Sequence, residues 1–226
     1  MPVLDKRRVV IVEDHTLLRQ GLKALLATDD DVEVVGEADN GLDAIKLASS
    51  AWPCLMLMDL SLPGINGIEA IREIKKLHPT IKILVLTVHM AEEYVREALK
   101  SGADGYVLKH ATQEELMLAI KSVLNGKSYL SPDIAAQIVT GYLDNSANAS
   151  ASPAWDSVTL REREILKLVA EGHPNRYIAG YFSLSLKTIE KHRSNLMKKL
   201  DLHNIASLTA FAIEKGVVSG TQRLNG

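Results

Sequence analysis

The chain has 226 residues, is 46% hydrophobic and carries a formal net charge of −2. That is long enough for two small domains with real cores and too apolar for global disorder. A single cysteine, Cys54, excludes an intrachain disulfide framework or a cysteine-based zinc site, and no apolar run reaches the length of a membrane span. The charge is unevenly spread: Met1–Leu130 holds 15 Lys+Arg and 19 Asp+Glu, whereas Trp155–Gly226 holds 11 and 7. An acidic half and a basic half predict different partners, a cation for the first and nucleic acid for the second. Met1–Arg8 lacks the apolar core of a signal peptide, so a cytoplasmic protein with no membrane partner is expected.

From Arg7 to Asn125 strand-like and helix-like segments alternate five times. Short apolar runs fall at Val9–Val12, Val32–Val35, Leu55–Met58, Ile81–Leu86 and Tyr106–Leu108. Helical stretches are predicted at His15–Ala27, Leu42–Ser50, Ile68–Leu77, Glu92–Ser101 and Gln113–Leu124. Strands that read as continuous apolar runs, separated by helices, imply a parallel α/β sheet covered on both faces. Ser131-Pro132-Asp133 opens a further helix, Ile134–Leu143. Asp144–Pro153 is small and polar, which predicts a flexible linker. After it the pattern is wholly helical, with a capping box at Thr159-x-x-Glu162 and helices near Asn175–Phe182, Leu186–Leu200 and Ile205–Lys215. Ser219–Gly226 should fray. The predicted division is a domain over 7–127, a helix and linker over 128–156, and a small all-α, four-helix domain over 157–218.

Four of the five strand ends carry chemistry. Glu13 and Asp14 close the first run, Asp59 the third, Thr87 the fourth and Lys109 the fifth. Taken singly, each has an ordinary reading as a helix cap, a turn residue, a strand-end threonine or a solvated charge. Their conjunction is different, because ligands of open α/β sheets bind outside the carboxyl ends of the strands. Three carboxylates form a hard oxygen site suited to Mg²⁺ and repel one another without a cation. A carboxylate such as Asp59 can act as a nucleophile toward phosphorus. Thr87 can donate to a phosphoryl oxygen, Lys109 can pair with another, and Tyr106 is placed to move when Thr87 is drawn inward.

Glu13-Asp14, Asp59, Leu62-Pro63-Gly64-Ile65-Asn66-Gly67, Thr87 and Gly105–Lys109 together resemble the receiver domain of two-component response regulators. The resemblance implies a doubly wound five-stranded sheet of order 2-1-3-4-5 and phosphorylation of Asp59 by a sensor histidine kinase. It also implies Mg²⁺ held by Glu13, Asp14, Asp59 and the main-chain carbonyl of Ser61. Such a protein is no enzyme beyond its own phosphoryl transfer and dephosphorylation. Many receivers have a cis proline after the lysine, where this chain has His110.

In the basic half, Ile189, Leu196 and Leu200 form one stripe of a helix, and Lys187, Lys191, Ser194 and Lys198 form another. An amphipathic basic helix preceded by a short turn and a second helix suits the major groove of double-stranded DNA. Val158–Leu166 and Lys187–Leu200 resemble a LuxR-type helix-turn-helix domain, so nearly the whole chain is similar to the NarL/FixJ family. That resemblance implies base-facing roles for Glu190, Lys191 and Ser194, and phosphate contacts for Lys187, Thr188, Arg193 and Lys199. It also implies a dimer interface at Ile205, Leu208, Phe211 and Ala212, with core packing the competing explanation for at least half of these. The expected function is a transcription regulator that binds DNA, as a homodimer, once phosphorylated; RNA polymerase is a further candidate partner. The alternative is a phosphorylation-independent regulator with a vestigial pocket. An aspartyl phosphatase is disfavoured because Ser61 stands two residues after Asp59, where general acid-base work needs an acid.

Overall fold

The computed structural model describes residues 6–144, 155, 157–182, 184–215 and 217–218, which fall in two units, Met1–Asn145 and Ser146–Gly226. In the first unit the strands are β1 (Arg7–Val12), β2 (Val32–Ala38), β3 (Leu55–Met58), β4 (Lys82–Thr87), β5 (Gly105–Leu108) and β6 (Tyr129–Leu130). All pair in parallel, in the order β2-β1-β3-β4-β5-β6. The helices are α1 (Thr16–Leu26), α2 (Gly41–Ser50), α3 (Gly67–Leu77), α4 (Glu92–Lys100), α5 (Gln113–Leu124) and α6 (Pro132–Asp144).

Side chains alternate across a strand. Val9, Ile11, Leu55, Leu57, Leu84, Leu86 and Val107 therefore share one face, where they pack with Leu22 and Leu26 of α1 and Leu116, Ile120 and Val123 of α5. The alternates Val10, Met56, Ile83 and Val85 are as deeply buried on the other face. Burial on both faces is why the strands carry no polar alternation. Asn40, Asn66 and Thr112 cap α2, α3 and α5 through side-chain oxygens.

The five expected strands and their order are present, with β6 as a sixth. β6 and α6 join the receiver unit, since β6 pairs with β5 and α6 packs on α4; the boundary expected at 127 thus moves beyond α6. A two-residue strand carries no periodicity, so nothing local announced it. Most of the expected linker and all of Ser219–Gly226 lie outside the described residues. No described helix is long and apolar enough to cross a membrane.

The second unit contains α7 (Leu160–Ala170), α8 (Asn175–Tyr181), α9 (Leu186–Leu200) and α10 (Ile205–Glu214). The expected capping box is formed, with Thr159 and Glu162 each bonding the other's main-chain N–H. The core joins Ile165, Leu166 and Val169 of α7, Ile178 of α8, Ile189, Leu196 and Leu200 of α9, and Leu208 and Ala212 of α10.

Candidate functional site

Backbone pairing continues one residue past the strands: Glu13 N–H donates to Ala38 O, Asp59 N–H to Val12 O and Lys109 N–H to Thr87 O. These bonds hold the strand-end side chains at one edge. Lys109 Nζ lies 2.8 Å from Glu13 Oε2 and 2.8 Å from Asp59 Oδ2. Both acids are 1% exposed. Burial alone would lower the Lys109 pKa, but the hydrogen bond and charge of Asp59, and then of Glu13, outweigh it and hold it above the ordinary value.

Asp59 Oδ1 and Asp14 Oδ1 are buried with no hydrogen-bond partner. Asp14 Oδ1 lies 2.9 Å from His15 Nδ1 without bonding geometry. Two carboxylates on one ammonium, with an orphaned oxygen on Asp59 and another on the neighbouring Asp14, have the donor chemistry of a hard divalent-cation site. Among the described residues, the acidic group whose ligand atoms lie within 4.8 Å of one another is Glu13, Asp14 and His15, with Asp59 outside it. His15 was not singled out in the sequence; its only signal was adjacency to the acid pair, and a hard cation prefers oxygen to imidazole.

The loop after Asp59 needs its glycines. Gly64 has φ 72°, and a Cβ on Gly67 would come within 2.1 Å of the Asp59 carbonyl oxygen. Gly67 thus allows α3 to start against the end of β3.

Thr87 is fully buried, and its Oγ1 accepts from His89 N–H at 3.4 Å. Tyr106 is fully buried with its hydroxyl donating to His89 O at 2.8 Å. Burial, with the charge of Asp59, pushes the phenol pKa well up. Thr87 and Tyr106 therefore meet at the same short turn. Ser61 Oγ and His89 Nε2 are 2.8 Å apart, and the His89 ring stacks on Tyr94 at 4.0 Å. This pairing was not legible in the sequence, because 28 residues separate the partners. The Lys109–His110 peptide is trans.

In the second unit, Ser185 caps α9 by accepting from Thr188 N–H at 3.1 Å, and its hydroxyl sits 2.7 Å from Thr188 Oγ1. Lys187, Glu190, Lys191, Ser194 and Lys198 are exposed, while Ile189, Leu196 and Leu200 are buried. The expected polar face is thus outward.

Two of the expected phosphate contacts are engaged inside the fold. Lys199 Nζ lies 2.7 Å from Glu162 Oε2, the buried acid of the capping box. Arg193 donates to Asn175 Oδ1 at the start of α8. Both side chains hold α9 in place.

Half of the expected dimer surface is corrected. Leu208 and Ala212 are fully buried in the core of the same chain, because α10 packs against α7. Phe211 is partly buried beside Trp155. Ile205 is 54% exposed.

A doubly wound parallel sheet with an acid–lysine pocket at its carboxyl edge, followed by a helix-turn-helix unit, defines a DNA-binding response regulator. Residues 9–121 match the response regulator receiver domain, and residues 156–212 match the bacterial regulatory proteins of the luxR family. The oxygen regulatory protein NreC of Staphylococcus carnosus is 36% identical over 212 residues, covering 92% of this chain and 97% of that protein. The transcriptional regulatory protein DegU of Brevibacillus brevis is 33% identical over 226 residues, covering 95% and 96%. The structure of RcsB from Salmonella enterica serovar Typhimurium, bound to promoter P1flhDC with the phosphomimetic BeF3-, aligns with a TM-score of 0.59. It is 27% identical, covering 91% of this chain and 97% of that one.

The chain belongs to the NarL/FixJ family of two-component response regulators. Its C-terminal unit is a LuxR-type DNA-binding domain, and its function is phosphorylation-dependent regulation of transcription.

Proposed function

We propose that Asp59 is the phosphoacceptor and that its phosphorylation governs DNA binding by α9. The carrying observation is a carboxylate 1% exposed, with one oxygen on the Lys109 ammonium and the other without a partner. The partnerless oxygen is the nucleophile. It forms a P–O bond as the P–N bond of the kinase phosphohistidine breaks, and the imidazole departs with the electron pair. Lys109 stays beside the acceptor and pairs with the new phosphoryl charge, while the Thr87 hydroxyl turns from His89 to donate to a phosphoryl oxygen. Tyr106, bonded to the same turn, follows.

Glu13, Asp14, Asp59 and the Ser61 main-chain carbonyl would hold Mg²⁺. When bound, it neutralises phosphoryl charge and orients the donor. The chain catalyses only its own phosphoryl transfer and loss.

Lys187 and Lys198 supply phosphate contacts on duplex DNA, with Glu190, Lys191 and Ser194 facing bases and Thr188 held at the N-terminus of α9. The active form is a homodimer on two half-sites, with RNA polymerase a candidate partner; Ile205 and Phe211 are the residues left to serve the interface. The work takes place on DNA in the cytoplasm.

Intact mass after incubation with acetyl phosphate and Mg²⁺ tests the acceptor. Wild type should gain one phosphoryl group and Asp59→Asn none. An equal gain in the variant would remove Asp59 from the role.

A further inference from the structure

β5 would be the edge of the sheet were it not for β6. β6 is only Tyr129–Leu130, paired with Gly105 and Tyr106, and the chain leaves the sheet at Pro132, which has no N–H and starts α6. Ser131 stands between them and is 3% exposed. Its N–H donates to Tyr106 O at 2.9 Å, and its hydroxyl accepts from Leu108 N–H at 3.4 Å. The same hydroxyl donates to Glu115 Oε1 of α5 at 2.5 Å. Its carbonyl accepts from Ala135 N–H, the first turn of α6. One small polar residue thus joins β5, α5 and α6. Ile134, three residues on, is fully buried, and α6 packs on α4.

The residue whose carbonyl Ser131 grips is Tyr106, whose own hydroxyl holds the turn after Thr87. We propose that Ser131 is a clamp that carries the phosphorylation state of the pocket, through Tyr106 and Leu108, into the β6–α6 segment leading to the DNA-binding unit. The proposal rests on Asp59 being the phosphoacceptor. Movement of Thr87 toward a phosphoryl group releases its bond to His89 N–H and draws the Tyr106 hydroxyl with it. The β5 backbone then shifts against Ser131, and the segment is loosened or reseated as a body. A buried hydroxyl with both donor and acceptor filled has few alternative positions, so a shift of β5 cannot be absorbed locally.

Hydrogen exchange of the full chain tests this, with and without acetyl phosphate and Mg²⁺, with intact mass read on the same samples. In wild type, amides of 129–144 should change their exchange about tenfold on phosphorylation. In Ser131→Ala they should exchange at least about tenfold faster from the outset, the effect of losing the hydroxyl's two hydrogen bonds, to Leu108 N–H and Glu115 Oε1. Their further response should fall well below that of wild type, since only the main-chain bond to Tyr106 O remains, while Asp59 still gains its phosphoryl group. Ser131→Thr keeps the hydroxyl and should respond as wild type does. A wild type that gains the phosphoryl group with unchanged exchange over 129–144 overturns the clamp, as does an alanine variant that keeps the full response. A wild type that gains no phosphoryl group overturns the acceptor assignment itself, and the clamp's signal falls with it.

Discussion

Replacing Lys109 with methionine removes the ammonium bonded to Glu13 and Asp59 while keeping most of the side-chain volume. Both acids are 1% exposed, and both lie 2.8 Å from the lost Nζ. Breaking a buried ion pair from one side costs about 3–5 kcal/mol, because the remaining charge is left uncompensated. Here one cation serves two acids, so the loss should fall near the top, about 5 kcal/mol. That is a large part of the ~5–15 kcal/mol typical of a domain.

The assay is urea dependence of hydrogen exchange in β1 and β3, in EDTA. These strands report the receiver unit separately from the helix-turn-helix unit. At the alkaline end, the Lys109 pKa in the wild type is raised above its ordinary 10.5. Its contribution is complete below the ordinary value and is lost as pH rises through the folded one, so the variant's deficit should shrink there. Mg²⁺ should also narrow it by supplying the missing positive charge. A loss under about 1 kcal/mol at pH 7 in EDTA, the worth of an exposed pair, would refute the reasoning.

Two further outcomes concern the second unit. Lys187→Ala on the exposed face of α9 should reduce the salt slope of duplex DNA binding by about one, with folding unchanged. Lys199→Met should instead destabilise the unit by about 1–2 kcal/mol by stranding the buried Glu162 carboxylate, discounted because Lys199 is partly exposed; it should leave the slope nearly unaltered. Titrations at several salt concentrations with parallel thermal melts separate the two, and a full unit lost from the slope of Lys199→Met would put that side chain on DNA. Leu208→Ala should cost about 2–5 kcal/mol in the monomer core. Ile205→Asp should leave the melt within about 0.5 kcal/mol and weaken dimerisation of the phosphorylated protein, as read by sedimentation. Equal melts for both would contradict the burial assigned to Leu208.

The sequence determined what is local or periodic. The continuous apolar runs set the parallel strands, and the capping box at Thr159 and Glu162 announced α7. Most of the phosphorylation pocket was legible because a strand points its last residue at the carboxyl edge of the sheet, so Glu13, Asp59, Thr87 and Lys109 could be placed by counting. The rest depended on partners distant in the chain. Lys199 resembles a phosphate contact until the fold brings Glu162 against it across 37 residues. Leu208 and Ala212 share a helical stripe with Ile205 and Phe211, and only packing on α7 decides which of them is core. The sixth strand is two residues long. Its formation is decided by an open edge on β5 and by Ser131, which satisfies Leu108 N–H and reaches Glu115 where the strand itself runs out.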